Sequence, residues 1–294
     1  PATAWCPGLF NHLKRIHMST DRILALFPGQ GSQKVGMGKS LADASATAGT
    51  RFSQADEVLE ISLSSLCFNG PADELTRTDI AQPAILTVST ICFRLHQEAC
   101  GALPAVAAGH SLGEYSALVA AGALDFQDAV SLVNKRGRYM QEAVPVGEGG
   151  MCAVLGKSVE EIESAIAQVK TGVVAVANIN APGQIVIAGD KVALAEFKTV
   201  LAGSKIIDLA VSAPFHSPLM APAAARLAED LAKLTIKPAA FPIYANFSAS
   251  PVQQPEEIRK ALELQVCGKV RWVESMEKSV ADLGVTEAIE YGEG

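Results

Sequence analysis

The chain has 294 residues, of which 49% are hydrophobic and 19% charged, a globular composition long enough for one large domain carrying a smaller insert. A net charge of −7 argues against wholesale nucleic-acid binding, and no apolar run reaches membrane-spanning length, the best candidate at 105–124 being broken by His110 and Glu114. The six cysteines show neither C-x-x-C nor metal-finger spacing, which points to reduced thiols in a cytosol-like compartment and to no metal site.

Residues 1–17 have no apolar signal core and read as a foreign leader, with Met18 as the natural start. Arg22 to Phe27 is a short buried strand, and Pro28-Gly-Gln-Gly-Ser-Gln33 is a glycine-rich loop whose backbone N–H groups can approach a ligand at the strand end. It lacks the lysine-bearing pattern of a nucleotide P-loop. Helices are expected around 51–60, 71–77 and 84–98, the last introduced by Ile80-Ala-Gln-Pro83. His96, near its end, reads as a helix-end or surface histidine. The apolar run Ala105–Ala108 is a strand that leads into Gly109-His110-Ser111-Leu112-Gly113, and Ser111–Ala121 reads as a helix. Strand, tight turn, helix is the setting in which Gly-x-Ser-x-Gly becomes a nucleophile elbow. A capping serine in an ordinary glycine-rich turn is the other reading of these five residues.

Asp125 is the expected N-cap of a helix running to about Ala143, and helical spacing puts Arg136 on its apolar face with Ala129, Leu132, Val133 and Met140. An inward arginine needs an anion or acceptors, supplied either by a structural partner or by a ligand. From Gly150 the pattern becomes strand 150–155, helix 158–169, strands 173–179 and 184–188, helix 190–201 and strand 205–211. This β-α-β-β-α-β order is ferredoxin-like. The chain therefore divides into a small subdomain at 148–211 inserted between 18–147 and 212–294. A proline-punctuated loop, Ser212 to Met220, opens a helix to about Leu234, followed by strand 243–247, helix 256–266, the segment Lys269–Trp272 and an apolar strand at 285–289. The end at Gly294 reads as a cut just past a strand.

A serine nucleophile at neutral pH needs a base. Of the five histidines, His12 and His17 lie in the leader, His110 diverges from its neighbour Ser111, and His96 sits in a helix far from any loop. His216 remains, on a loop at the subdomain junction. No carboxylate is evidently placed to orient it, and a carbonyl can serve instead.

Phe27-Pro-Gly-Gln-Gly-Ser-Gln33, Gly109-His-Ser-Leu-Gly-Glu-Tyr115, Arg136-Gly with Met140-Gln-Glu-Ala-Val-Pro145, Ala177-Asn-Ile-Asn-Ala-Pro-Gly-Gln184, Ala213-Pro-Phe-His216, and Gln265 ahead of Val270-Arg-Trp272 resemble, in family order, the malonyl-CoA:acyl-carrier-protein transacylases of fatty-acid synthesis and the acyltransferase domains of polyketide synthases. The resemblance implies an α/β fold with an α/β-hydrolase-like large subdomain and a ferredoxin-like small one. It also implies ping-pong malonyl transfer from malonyl-CoA to an acyl carrier protein. By it, Ser111 is the nucleophile, His216 its base, and the N–H groups of Gln30 and Leu112 the oxyanion hole. Arg136 holds the malonyl carboxylate, and the backbone carbonyl of Gln265 orients the histidine. Phe215 disfavours an α-methyl branch, since a smaller residue there goes with methylmalonyl use in related polyketide domains. No permanently bound cofactor, a monomeric state and a cytoplasmic location are expected, with Lys205 and Arg271 as candidate cations for carrier docking. An α/β-hydrolase esterase would instead carry an acid between serine and a late histidine, and a catalytically silent scaffold would usually have lost Ser111, His216 or Arg136.

Overall fold

The computed structural model describes residues 22–101, 103–211 and 213–294, so the leader at 1–17 and the start at Met18 lie outside the described residues. Among these, nine strands form two sheets: β1 (Ile23–Phe27), β2 (Val106–Gly109), β3 (Gly149–Leu155), β4 (Val174–Ala181), β5 (Gln184–Asp190), β6 (Lys205–Asp208), β7 (Ile243–Ala245), β8 (Ser250–Val252) and β9 (Glu287–Glu290). The larger sheet runs β8-β7-β2-β1-β9, parallel except for the antiparallel edge strand β8. Strands β1 and β2 are covered on both faces, which is why they read as continuous apolar runs rather than alternating ones. Phe27 pairs with Gly109, so the glycine-rich loop after β1 and the elbow after β2 leave the same edge side by side. The carboxyl ends of parallel strands are where open α/β sheets bind ligands.

The smaller sheet is antiparallel, ordered β4-β5-β3-β6, with helices Val159–Ile166 and Lys191–Val200 packed over a core of its own that includes Cys152, Ile162, Ile187 and Phe197. The ferredoxin-like expectation is met, including the Ser158–Glu161 capping box that starts its first helix. A backbone bridge helps tie the two sheets together. Val270 donates to Ala177 O at 2.8 Å and accepts from Ile179 N at 2.9 Å, joining the segment behind the large sheet to β4.

Several boundaries differ from the sequence expectation. The helix expected from residue 84 runs from Thr78 to Cys100, with Pro83 inside it. Pro83 has no N–H for the Asp79 carbonyl, which accepts instead from Asn134 Nδ2 at 2.8 Å, so the missing helical bond is replaced by one to the neighbouring helix Phe126–Glu142. The helix expected at 51–60 begins at Ala46, where the Ser45 side chain accepts from Ala48 N. Short helices Lys39–Ala44 and Leu63–Asn69 were not anticipated, and neither was β8. Trp272 opens a helix to Leu283 that the sequence reading missed; Trp272, Met276 and Leu283 pack against Leu24, Val106, Ala108 and Tyr244 of the large sheet. The last strand pairs in parallel with β1.

Candidate active site

Ser111 stands between β2 and the helix Leu112–Ala120 with φ 52 and ψ −103, a backbone geometry that costs a non-glycine residue about 1–3 kcal/mol. Two close approaches enforce the turn. A Cβ on Gly109 would lie 1.9 Å from the Gly113 carbonyl carbon, and one on Gly113 would lie 2.1 Å from Phe27 O. The amide of Asn246, just past β7 on the same sheet edge, clamps the turn from both sides. Its Oδ1 accepts from Ser111 N at 2.6 Å and its Nδ2 donates to Gly109 O at 2.7 Å.

Ser111 Oγ lies 2.7 Å from His216 Nε2, and His216 Nδ1 lies 3.0 Å from Gln265 O. A carbonyl can only accept, so Nδ1 carries the proton and Nε2 presents its lone pair to the serine hydroxyl. Burial, with the nearby Arg136 charge second, pushes His216 down to about 3, which keeps the imidazole neutral. The other two described histidines are occupied elsewhere. His110 turns away from Ser111, its Nε2 2.9 Å from Asn180 Oδ1 and its ring edge-on to Trp272. His96 is half-buried rather than a free surface group, because Tyr291 packs on it and shares a 2.8 Å hydrogen bond with its Nδ1.

Arg136 is 1% exposed, on the inward face that helical spacing required. Its Nη1 donates to Gln82 Oε1 at 2.8 Å, and its Nη2 to Gln265 Oε1 at 2.9 Å and Ser111 Oγ at 3.1 Å. The guanidinium also lies 5.2 Å from the Tyr115 ring centroid. Amides and a hydroxyl thus take the place of a direct carboxylate partner. The carboxylate is one step back. Buried Glu114 Oε2 accepts from Gln265 Nε2 at 2.8 Å and from Asn246 N at 2.9 Å. Burial raises the Glu114 carboxyl to about 7, opposed by those hydrogen bonds and by Arg136. Sequence reasoning missed Gln82, Glu114, Asn246 and the side-chain role of Gln265, whose Nε2 also donates to Ser111 O at 2.9 Å. A signal was present for Glu114, three residues after the elbow serine in the first helical turn, where a carboxylate is favoured.

These groups open on a cavity of about 190 Å³, lined among others by Gln30, Leu112, Met140, Asn180 and Phe215. The Gln30 side chain is fixed by a 3.2 Å bond to Thr78 Oγ1. Phe215 is buried in the cavity wall next to His216. The site therefore holds an activatable hydroxyl, a neutral base and a buried cation beside it. That set suits acyl transfer to and from serine with an anionic acyl group. Among the described residues, no three His, Cys, Asp or Glu side chains cluster as metal ligands. Of the two candidate docking cations, Lys205 is exposed, whereas Arg271 is committed to Glu274 and to the Phe247 and Ser248 carbonyls.

Residues 25–285 match the sequence model of the acyl transferase domain family. The chain is 49% identical over 279 residues to the malonyl CoA-acyl carrier protein transacylase of Bacillus subtilis (strain 168), covering 93% of this chain and 87% of that one. Its fold is similar to the crystal structure of an acyl carrier protein S-malonyltransferase from Vibrio cholerae, with a TM-score of 0.90 at 42% identity over 93% of this chain and 90% of that one. It is also similar to a malonyl-transacylase solved in complex with its type II polyketide-synthase acyl-carrier protein, with a TM-score of 0.89 at 42% identity, covering 93% and 89% of the two chains.

Proposed function

We propose that this chain, which belongs to the acyl transferase domain family, transfers the malonyl group of malonyl-CoA to the phosphopantetheine thiol of an acyl carrier protein and so supplies extender units for fatty-acid synthesis. The observation that carries the reading is the buried Arg136 guanidinium on the nucleophile itself, 3.1 Å from Ser111 Oγ, because it places a cation where the acyl group of a serine ester would lie.

Ser111 Oγ attacks the thioester carbonyl as its proton passes to His216 Nε2. The new C–O bond gives a tetrahedral oxyanion, received by the N–H groups of Gln30 and Leu112. Loss of one such donor typically costs ~2.7–4 kcal/mol of transition-state stabilisation. Collapse breaks the C–S bond, CoA leaves with the proton from His216, and a malonyl-serine ester remains. The carrier thiol then attacks this ester by the same steps in reverse, giving ping-pong kinetics. Arg136 pairs with the malonyl carboxylate, and Gln265 O keeps the His216 tautomer fixed throughout. The bound carboxylate also offsets the Arg136 charge that depresses His216, so the substrate strengthens the base that acts on it.

This chemistry is complete without a metal or bound cofactor, and we assign the protein as a cytoplasmic monomer. No helix among the described residues is long and apolar enough to cross a membrane. The division into 18–147 with 212–294 and an inserted 148–211 belongs to the same reading; it is supported by the two sheets.

Intact-mass measurement after mixing with malonyl-CoA, then with holo acyl carrier protein, tests the proposal. A malonyl adduct on Ser111 that moves to the carrier is expected. Rapid hydrolysis of p-nitrophenyl esters with no adduct points instead to an esterase, and no reaction with any thioester points to a silent scaffold.

Phe215 sets a second test. Its ring lines the cavity beside His216, which supports the reading that it is what an α-methyl group meets. Phe215→Ser should raise the methylmalonyl-to-malonyl ratio of kcat/KM by about tenfold, the scale of one methyl group in an apolar pocket. An unchanged ratio would place selectivity elsewhere in the cavity.

A further inference from the structure

We propose that Glu114 is a positioning residue that supplies the counter-charge to Arg136 through the Gln265 amide, and so sets how tightly the malonyl carboxylate is held before it is passed on. The inference rests on the malonyl-transfer reading and deepens it.

The geometry is a relay. The Gln265 side chain lies between the two charges, its Nε2 donating to Glu114 Oε2 at 2.8 Å and its Oε1 accepting from Arg136 Nη2 at 2.9 Å. The carboxylate fixes which way this amide points, because only the NH₂ end can face it. Asn246 N holds the same carboxylate oxygen at 2.9 Å, so Glu114 is pinned to the residue that clamps the elbow. A direct Arg–Glu fork would consume the donors of the guanidinium. With an amide between them, the charge is balanced while the guanidinium keeps its reach to Ser111 Oγ. Both charges are buried, so their fields are poorly screened.

The sign of the effect follows. With Glu114 ionised, the empty site is electrically balanced, and malonyl brings one uncompensated negative charge. With that carboxylate neutral, malonyl becomes the sole counter-ion of Arg136 and is held more tightly. Tight holding of the ground state does not speed transfer, and it slows release to the next thiol.

The test is steady-state kinetics of the full chain with malonyl-CoA and acetyl-CoA, above the Glu114 value of about 7 so that its carboxylate is ionised, comparing wild type, Glu114→Gln and Glu114→Asp. Glu114→Gln keeps an oxygen for both donors and removes the charge, with an NH₂ in place of the second carboxylate oxygen. We expect its KM for malonyl-CoA to fall roughly threefold to tenfold, with kcat falling at least as much, while KM for acetyl-CoA stays within about twofold. Glu114→Asp withdraws the charge by one methylene, and a smaller shift in the same direction is expected. It carries the test alone if the Gln variant does not fold. Equal rises in KM for both substrates, or no change in either variant, overturn the proposal in favour of a structural carboxylate. Wild-type protein that is not malonylated at all would instead remove the transfer reading on which the proposal stands.

Discussion

His216→Ala slows acyl-enzyme formation by about 100- to 10,000-fold, the range assigned to a positioned general base. The expectation follows from the 2.7 Å contact to Ser111 Oγ and, among the described residues, from the lack of a second imidazole that could stand in, since His110 is turned to Asn180. Rapid-quench mass spectrometry of the malonyl adduct measures it directly, and acylation near the wild-type rate in this variant would overturn the assignment. His96→Ala is the control and should stay within about threefold, because its partner Tyr291 lies outside the cavity lining. The pH dependence of the wild type is part of the same result. A histidine pushed down to about 3 is protonated only as the pH falls toward that value. The acylation rate at low substrate should therefore show no limb near 6.5 from its base, whereas an unperturbed histidine would lose half its activity there.

Arg136→Ala should lower kcat/KM for malonyl-CoA by an amount equivalent to roughly 2–5 kcal/mol, as expected when one partner of a buried charge pair is removed. Acetyl-CoA should be used better than by wild type. A guanidinium shaped for a carboxylate no longer sits beside a neutral acyl group, and one cause of the depressed His216 basicity is gone. Arg136→Lys should resemble Arg136→Ala more than wild type. One ammonium cannot reproduce two nitrogens that reach Gln82 and Gln265 separately while pairing with a carboxylate. The comparison to make is kcat/KM for both thioesters in all three proteins. A uniform fall would make Arg136 structural, and full activity in the lysine variant would reduce its role to charge.

The small subdomain was legible because each of its elements carries a local signal: a capping box at Ser158, an Asp190 cap, and apolar strands separated by Asn180-Ala-Pro-Gly183. The elbow was legible because its constraint is steric and so written in glycine. Arg136 was legible from helical spacing alone, but its partners were not. Gln82 and Gln265 come from two separate helices, and an amide has no sequence signature until folding shows what it faces. Glu114 was hidden by its position. In the sequence it breaks an apolar run, and only the fold shows it aimed at a buried amide. The helix Trp272–Leu283 was missed although Trp272, Met276 and Leu283 recur at helical spacing; its packing beneath a sheet whose strands are distant in sequence shows only in the fold. The early start of the Thr78–Cys100 helix was missed because Pro83 reads as a boundary, and the bond it denies to Asp79 is made up by Asn134, 55 positions from Asp79.

The cavity wall is shared unequally between the two sheets. Ser111, Arg136 and His216 stand on the large subdomain and its loops, whereas Asn178, Asn180 and Val186 come from strands of the small one. The two are joined at the Val270 bridge, which enters β4 at Ala177 and Ile179, one residue either side of Asn178. The reacting groups and part of the wall around the acyl group in this way come from different sheets. A lineage that needed a different acyl group could vary the strand face around 178–186 and leave the serine, its base and their amide support untouched.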